Sequence, residues 1–165
     1  MLDWLASKVA MTVAAMLLLT AAAGFFAWEQ ADAARRSVAV VAEDLARFLD
    51  VVSALKGEAT FAVSFGAGPG HVLPDRLDGS PYEIEIDRGA VIASRGSIFA
   101  FAVLGVPVHL FHPEGRSFSS ADLARLDGDH PALHTTSSGS LKVERLAIEV
   151  DGVPTYATFV ALPPS

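Results

Sequence analysis

The sequence predicts an α+β fold in which one long N-terminal helix packs on an antiparallel β-sheet domain. Three observations lead to this prediction. Residues 1–28 end in an uncharged apolar run, and residues 29–57 show an amphipathic helical pattern. Residues 58–165 contain short strand-like segments separated by turn residues. We interpret these stretches as an N-terminal transmembrane segment, an amphipathic helix and a β domain.

The transmembrane prediction depends on the twenty residues from Val9 to Trp28, which carry no charge. About 20 apolar residues are what a helix needs to cross the hydrocarbon core of a bilayer. Trp4 and Trp28 bracket the run as interfacial aromatics do. A cleaved signal peptide is the alternative, since a small-x-small site stands at Ala31–Ala33. The apolar region of such peptides is usually about 7–15 residues, so the length favours an uncleaved anchor.

The amphipathic segment, residues 29–57, is predicted to continue the helix of the apolar run. The single helix would then extend from near Trp4 to Lys56. No Pro or Gly interrupts residues 29–56, and Gly57 supplies a C-terminal stop. Apolar residues recur at spacings of three and four, as in a helix that buries one face. The residues predicted to pack through this stripe are Val38, Val41, Leu45, Phe48, Val52 and Leu55.

A second apolar line, through Ala42 and Leu49, widens the stripe. Two interpretations remain open at this point. The helix either rests its whole apolar face on its own sheet, or docks on that sheet and also touches a neighbouring molecule. The second interpretation predicts self-association through the helix.

The β domain is predicted from alternating and apolar segments. The predicted strands are 60–65, 82–86, 90–93, 97–104, 108–111, 141–150 and 153–162, in one antiparallel sheet. Residues 97–104 are apolar on both faces, which indicates a central strand. Asp151-Gly152 predicts a tight hairpin, and Ser119 to Asp122 is predicted to begin a short helix ending at Leu126. The glycine-rich residues 66–70 are predicted to form a turn.

Composition excludes several classes of function. The net charge is −7 and the basic residues do not cluster, so nucleic acid is not an expected partner. Zero cysteines exclude disulfides, zinc-cysteine sites and thiol catalysis. Apolar residues make up 52% and charged residues 19%, against about 45–50% and about 25% in typical soluble proteins. The apolar excess and the low charge indicate a membrane segment together with an associating surface.

Catalytic motifs are weak. His130 and His134 stand four residues apart beside two aspartates and are weak metal candidates, but Pro131 separates them and favours a solvated loop. Ser64 faintly resembles a hydrolase nucleophile, although neither the preceding glycine nor the following helix is present. We therefore predict no catalytic residue and no cofactor, with a metal-dependent hydrolase as the least favoured alternative.

The layout resembles the type IV pilin superfamily, in particular archaeal pilin-like proteins. Val9–Lys56 corresponds to the long helix of that family and Thr60–Leu162 to its β domain. The resemblance implies that the apolar half of the helix holds the subunit in the membrane and packs with sibling helices. It also implies that the β domain faces outward, whereas counting the bases Arg35, Arg36 and Arg47 against Lys8 would place it inside.

Two differences from pilins concern processing. Val9 follows Lys8 where a prepilin peptidase site would have Gly or Ala, and no acidic residue lies early in the apolar run. They favour an uncut pilin-like membrane protein or a minor subunit. The functional prediction is thus a non-enzymatic pilin-like subunit in the cell membrane, whose partners are the bilayer and copies of itself or related subunits. The alternative is a single-pass receptor or ligand-binding module.

Overall fold

The computed structural model describes residues 2–66 and 71–163, and it confirms the α+β prediction. The elements are α1 Leu2–Ser53, β1 Ala59–Ser64, β2 Glu83–Asp87, β3 Ala90–Arg95, β4 Ile98–Val103, β5 Ser117–Phe118, α2 Ser120–Asp129, β6 Ala132–Thr136, β7 Ser140–Val150 and β8 Val153–Ala161. Residues 67–70 of the predicted 66–70 turn, and the side chain of Trp4, lie outside what the structure describes.

Helix α1 is 52 residues long and unbroken, as the absence of proline predicts. It ends at Ser53, slightly before the predicted Lys56. The reason is a tightened last turn, in which the amide of Leu55 donates to the carbonyl of Val52 at 3.1 Å. Such i→i−3 bonds commonly close the end of an α-helix.

The strands form two four-stranded sheets, whereas the sequence predicts one. In the first sheet the long strand β7 pairs with β8 along one edge, and this pair is antiparallel. Along its other edge β7 pairs with β1, antiparallel, and with the short β5, parallel. The second sheet has the order β4-β3-β2-β6 and is antiparallel throughout. Helix α1 packs mainly on β3 and β4 of the second sheet.

The prediction of a central strand over residues 97–104 is wrong. Within the described part of the chain β4 pairs with β3 alone, at the edge of the second sheet. One apolar face, with Ile98 and Ala100, packs toward α1 and the core. The other face, with Phe99 and Phe101, is exposed. Apolarity on both faces therefore reflects one helix-covered face and one uncovered face.

Two further differences concern short segments. Residues 108–111 are not a strand; His109 forms a single bridge with Phe159 of β8. The segment predicted as a solvated loop around His130 and His134 instead contains β6, which pairs with β2 from Ala132 onward. Strands β5 and β6 were not predicted from the sequence, because segments of two and five residues are too short to show a clear alternating pattern.

The predicted turn chemistry is confirmed. Asp151 and Gly152 have φ values of 51° and 82°, the left-handed pair that a type I′ hairpin requires. Ser119 caps α2, because its hydroxyl accepts the amide hydrogen of Asp122 at 3.1 Å. The helix runs three residues past the predicted Leu126, to Asp129.

One core joins the second half of α1 to both sheets. Buried side chains of this half, such as Leu45 and Leu49, share a cluster with Ile84 and Val91 of the second sheet and Val143 of the first. A smaller cluster on the far face of the first sheet lies under α2. Residues 34–53 of the amphipathic helix are thus the first element of the folded domain.

Candidate functional site

The first half of α1 projects from the domain. Every residue from 10 to 31, here called the free half, is exposed. An 18-residue window of this helix has a mean hydropathy of 2.0, and none of that window is buried within the chain. In the described residues this is the one helix long and apolar enough to cross a membrane. Its position near the N-terminus is consistent with a single-pass membrane protein.

The two threonine hydroxyls in the free half are satisfied within the helix itself. The hydroxyl of Thr12 donates to the carbonyl of Lys8 at 2.9 Å, and that of Thr20 donates to the carbonyl of Met16 at 2.8 Å. Such back-bonding hides a hydroxyl from an apolar solvent. The free half therefore presents lipid or a neighbouring helix with an almost wholly apolar surface.

The second half of α1 buries its stripe in its own domain. Val38, Val41, Leu45 and Val52 are buried, and so are Ala42 and Leu49 of the second apolar line. Phe48 is half-buried and meets the ring of Phe61 edge-to-face at 5.7 Å. Leu55 lies beyond the helix and is exposed. Of the two interpretations left open by the sequence, the structure shows the wide stripe resting on the domain's own sheets.

Side-chain hydrogen bonds fix the end of α1 to the domain. Ser53 and Thr158 share a buried hydrogen bond between their hydroxyls at 2.8 Å, and the Arg145 guanidinium donates to the same Thr158 oxygen at 3.2 Å. Burial lowers the pKa of Arg145. On the other side of the helix, the Asp50 carboxylate accepts the amide hydrogen of Gly105 at 2.8 Å. These bonds attach the C-terminal end of α1 to both sides of the domain.

The two histidines singled out by the sequence lie on different elements. His130 caps the C-terminus of α2, and its ring centroid is 6.0 Å from that of Phe111. His134 lies on β6, with Nδ1 3.9 Å from a carboxylate oxygen of Glu85. Among residues 2–66 and 71–163 no group of three or more His, Asp or Glu side chains is placed to hold a metal ion.

A buried ion-pair cluster escaped the sequence analysis. The Asp127 carboxylate is nearly inaccessible and lies 2.8 Å from His109 Nδ1 and 3.0 Å from Arg88 Nη2. The His109 ring also stacks on Phe159 with centroids 5.1 Å apart. The cluster holds α2 against the first sheet. Its sequence signal is that Asp127 stands four residues after Leu123, on the buried side of α2.

The weak nucleophile candidate Ser64 lies at the end of β1. Its hydroxyl is 3.0 Å from Nδ1 of His71, and the residues carrying this pair are partly or fully exposed. Within the described chain, no hydrogen bond or ion pair joins a carboxylate to this histidine. A lone exposed Ser–His contact lacks the third group that orients a catalytic histidine.

Comparisons with protein-family models, with curated proteins and with solved structures found no match to this chain.

Proposed function

We propose that this chain is a non-enzymatic, pilin-like subunit held in the cell membrane by one helix, with its β domain on the extracytoplasmic side. It assembles with copies of itself or with related subunits through that helix. The observation that carries the proposal is the division of α1 into two halves: an exposed apolar half and a half that forms the core of the domain.

The dimensions of the free half support a membrane role. At 1.5 Å per residue, residues 10–31 span roughly 33 Å, close to the ~30 Å hydrocarbon thickness of a bilayer. So large an apolar surface cannot remain in water. Lipid covers it in an isolated subunit, and sibling helices cover it in an assembly.

The free half also has room for a close neighbour. A Cβ atom added at Gly24 would meet no heavy atom within 4 Å, so nothing in the chain's own packing requires glycine there. Leu17, Thr20 and Gly24 share one helical face, and small residues allow two membrane helices to approach closely. We assign this face to the helix–helix contact.

Cysteine cross-linking in membranes tests the proposal, because the chain has no native cysteine. Leu17→Cys on the Gly24 face is expected to form disulfide-linked dimers when the full chain is oxidised in its membrane. Phe26→Cys, on the opposite face, is the matched control and is expected to link weakly. No cross-link at any position along residues 11–28, or equal linking around the helix, would refute assembly through this helix.

A membrane-tethered binding module is the second candidate. It is favoured by a cleft of about 400 Å³ between α2 and the segment before it. The cleft is lined by the aromatic rings of Phe111 and Phe118, by His112, Arg125 and His130, and by the carboxylates of Glu114 and Asp122, among others. A screen of small organic acids and amines against the full chain in micelles tests it. A ligand that raises the unfolding midpoint, with the rise lost in Arg125→Ala, would support this candidate over the first.

A further inference from the structure

The outer face of the second sheet, meaning the face turned away from α1, carries an uncovered apolar column on β4. Phe99, Phe101 and Val103 are 72%, 68% and 70% exposed. At about 200 Å² for each aromatic side chain, the two rings alone expose roughly 280 Å². Ile92 of β3 stands directly beside Phe101 in the register and extends the apolar area toward the middle of the sheet. An exposed apolar patch of this size commonly marks an interaction site.

A depression of about 310 Å³ lies beside the phenylalanines on the same face. Its lining includes Glu83 and Glu85 of β2 and Ile92 and Ser94 of β3. Glu85 stands directly beside Ile92 in the register, and Ile92 stands beside Phe101. One row across the sheet therefore leads from a carboxylate, over an apolar residue, to an aromatic ring.

The four strands of this sheet, all within the described chain, carry little positive charge. Their one lysine or arginine is Arg95, which lies at the end of β3 and pairs with Asp78 at 2.7 Å. Against it stand the carboxylates of Glu83, Glu85 and Asp87 on β2. The outer face is therefore negative as well as apolar.

Two of these three carboxylates are available to a partner. Asp87 is not, because it accepts two backbone amide hydrogens in the turn after β2, at 2.7 Å and 2.6 Å. Glu83 is exposed, and in the described part of the chain no hydrogen bond or ion pair holds its carboxylate. Glu85 makes a loose contact of 3.9 Å with His134 Nδ1, and both of these side chains remain accessible.

The charge of the outer face limits what can cover it. Carboxylates repel nucleic acid and the anionic surface of a bilayer. A second copy is also a poor match, because α2 has three acidic residues and one arginine. On the uncovered side of α1, Arg36 and Arg47 are paired with Asp32 and Asp44, and Glu43 is exposed. The matching surface therefore belongs to a different protein, which supplies apolar side chains together with positive charge.

The width of the outer face favours a helix over an extended segment. The glutamates of β2 and the phenylalanines of β4 lie two strand spacings apart, or about 9.6 Å. An α-helix lying along β3 is about 10–12 Å wide with its side chains, so it contacts both columns at once. A strand added to the edge of β4 would lie about 14 Å from β2, too far for its lysine or arginine side chains to reach the glutamates.

The spacing along the strands also fits a helix. Phe99 and Phe101 are two residues apart, as are Glu83 and Glu85, which corresponds to about 6.6 Å along a strand. Residues i and i+4 of a helix differ in height by about 6 Å. Apolar residues at this spacing on one side of a helix, and basic residues at this spacing on the other, would contact both pairs.

We propose that the outer face of the second sheet binds a basic amphipathic helix of a partner protein. The apolar side chains of that helix pack on Phe99 and Phe101, and its lysines or arginines enter the depression and pair with Glu83 and Glu85. The outer face is turned away from α1, so the inference goes beyond the proposed function and does not depend on it. The small area gives a transient contact, with a Kd of roughly 10–100 µM.

A synthetic helix tests the proposal on the full chain in nonionic micelles. Thr136→Cys, on the lining of the depression, provides one site for an environment-sensitive fluorophore, because the chain has no native cysteine. The probe is a peptide of about 18 residues, or five helical turns, with leucines on one face flanked by lysines. It is expected to shift the emission with a Kd in the stated range. The matched peptide, with glutamate in place of every lysine, is expected to bind about tenfold more weakly. Empty micelles measure the partition of each peptide into detergent.

Substitutions in the labelled chain locate the contact. Phe101→Ser is expected to raise the Kd for the lysine peptide about tenfold. Glu83→Gln combined with Glu85→Gln is expected to raise it about fivefold and to remove most of its salt dependence. Val51→Ser and Glu43→Gln change exposed residues of α1 and are the matched controls, with no expected effect. The glutamine variants keep the side-chain size, so they test the contact even if Phe101→Ser fails to fold.

Four results would overturn the proposal. The first is an equal response to the lysine and glutamate peptides, and the second is a response that the substitutions at Phe101, Glu83 and Glu85 leave unchanged. The third is the absence of any response to the lysine peptide at about 1 mM. The fourth is an emission shift in the peptide-free chain that grows with its own concentration, which would indicate pairing of copies through this face. Cross-linking through Leu17→Cys tests the proposed function separately, because none of these measurements involves the free half.

Discussion

The substitution Leu45→Ala tests whether the second half of α1 is core. Leu45 is fully buried, between the two sheets. Removing its three outer carbons loses about 2.4 kcal/mol of transfer free energy at about 0.8 kcal/mol per methylene. The cavity left behind brings the expected cost to about 3–4 kcal/mol, within the range of roughly 2.7–5 kcal/mol measured for buried leucines.

Pulse proteolysis of the full chain in detergent micelles measures this cost, since the micelle covers the free half. With a urea m-value of about 1.5 kcal/mol/M, the midpoint should fall by about 2–2.7 M. Val40→Ala is the matched control on the exposed side of the same helix and should change the free energy of unfolding by less than about 0.5 kcal/mol. Equal midpoints for the two variants would refute the docking of α1 and leave its apolar stripe available to a neighbour.

Four further substitutions test local features. Ser119→Ala removes the cap of α2 and should cost about 1 kcal/mol; the pKa of Asp122, which the Ser119 hydrogen bond lowers, should return toward its ordinary value in an NMR titration. Burial raises the pKa of Tyr82. The stabilising contribution of the Tyr82 hydroxyl is therefore complete below about pH 10, and it is lost at higher pH because the unfolded chain then releases the proton first. Tyr82→Phe should flatten the alkaline decline in the urea midpoint. Gly152→Ala, at φ 82°, should destabilise the hairpin by about 1 kcal/mol, whereas Gly128→Ala inside α2 should stabilise the domain by about 0.5–1 kcal/mol.

Local chemistry explains which elements could be predicted from the sequence. The length of α1 follows from the absence of proline, and the β7–β8 hairpin follows from Asp151-Gly152, because both depend on residues adjacent in the chain. The division into two sheets could not be predicted in this way. It depends on which strands β7 and β2 pair with, and their partners β1 and β6 lie far away in sequence.

The features of the candidate site also differ in whether the sequence could predict them. The free half and the buried stripe of α1 were both visible as hydrophobic patterns. The exposed valines on the opposite side of α1 were not, because Val40 and Val51 are eleven residues apart and stand among charged side chains. Only the structure shows that the side of α1 holding them is uncovered. The bond between Ser53 and Thr158 joins residues 105 positions apart and left no local signal.

The misassigned strand β4 shows why a pattern that is apolar on both faces was misinterpreted. A strand that is apolar on both faces is expected to be covered on both faces, which is why residues 97–104 indicated a central strand. Within one chain α1 covers a single face of β4, and Phe99 and Phe101 remain exposed. The apolar pattern of residues 97–104 therefore does not distinguish a buried central strand from an edge strand that has one helix-covered face and one uncovered apolar face.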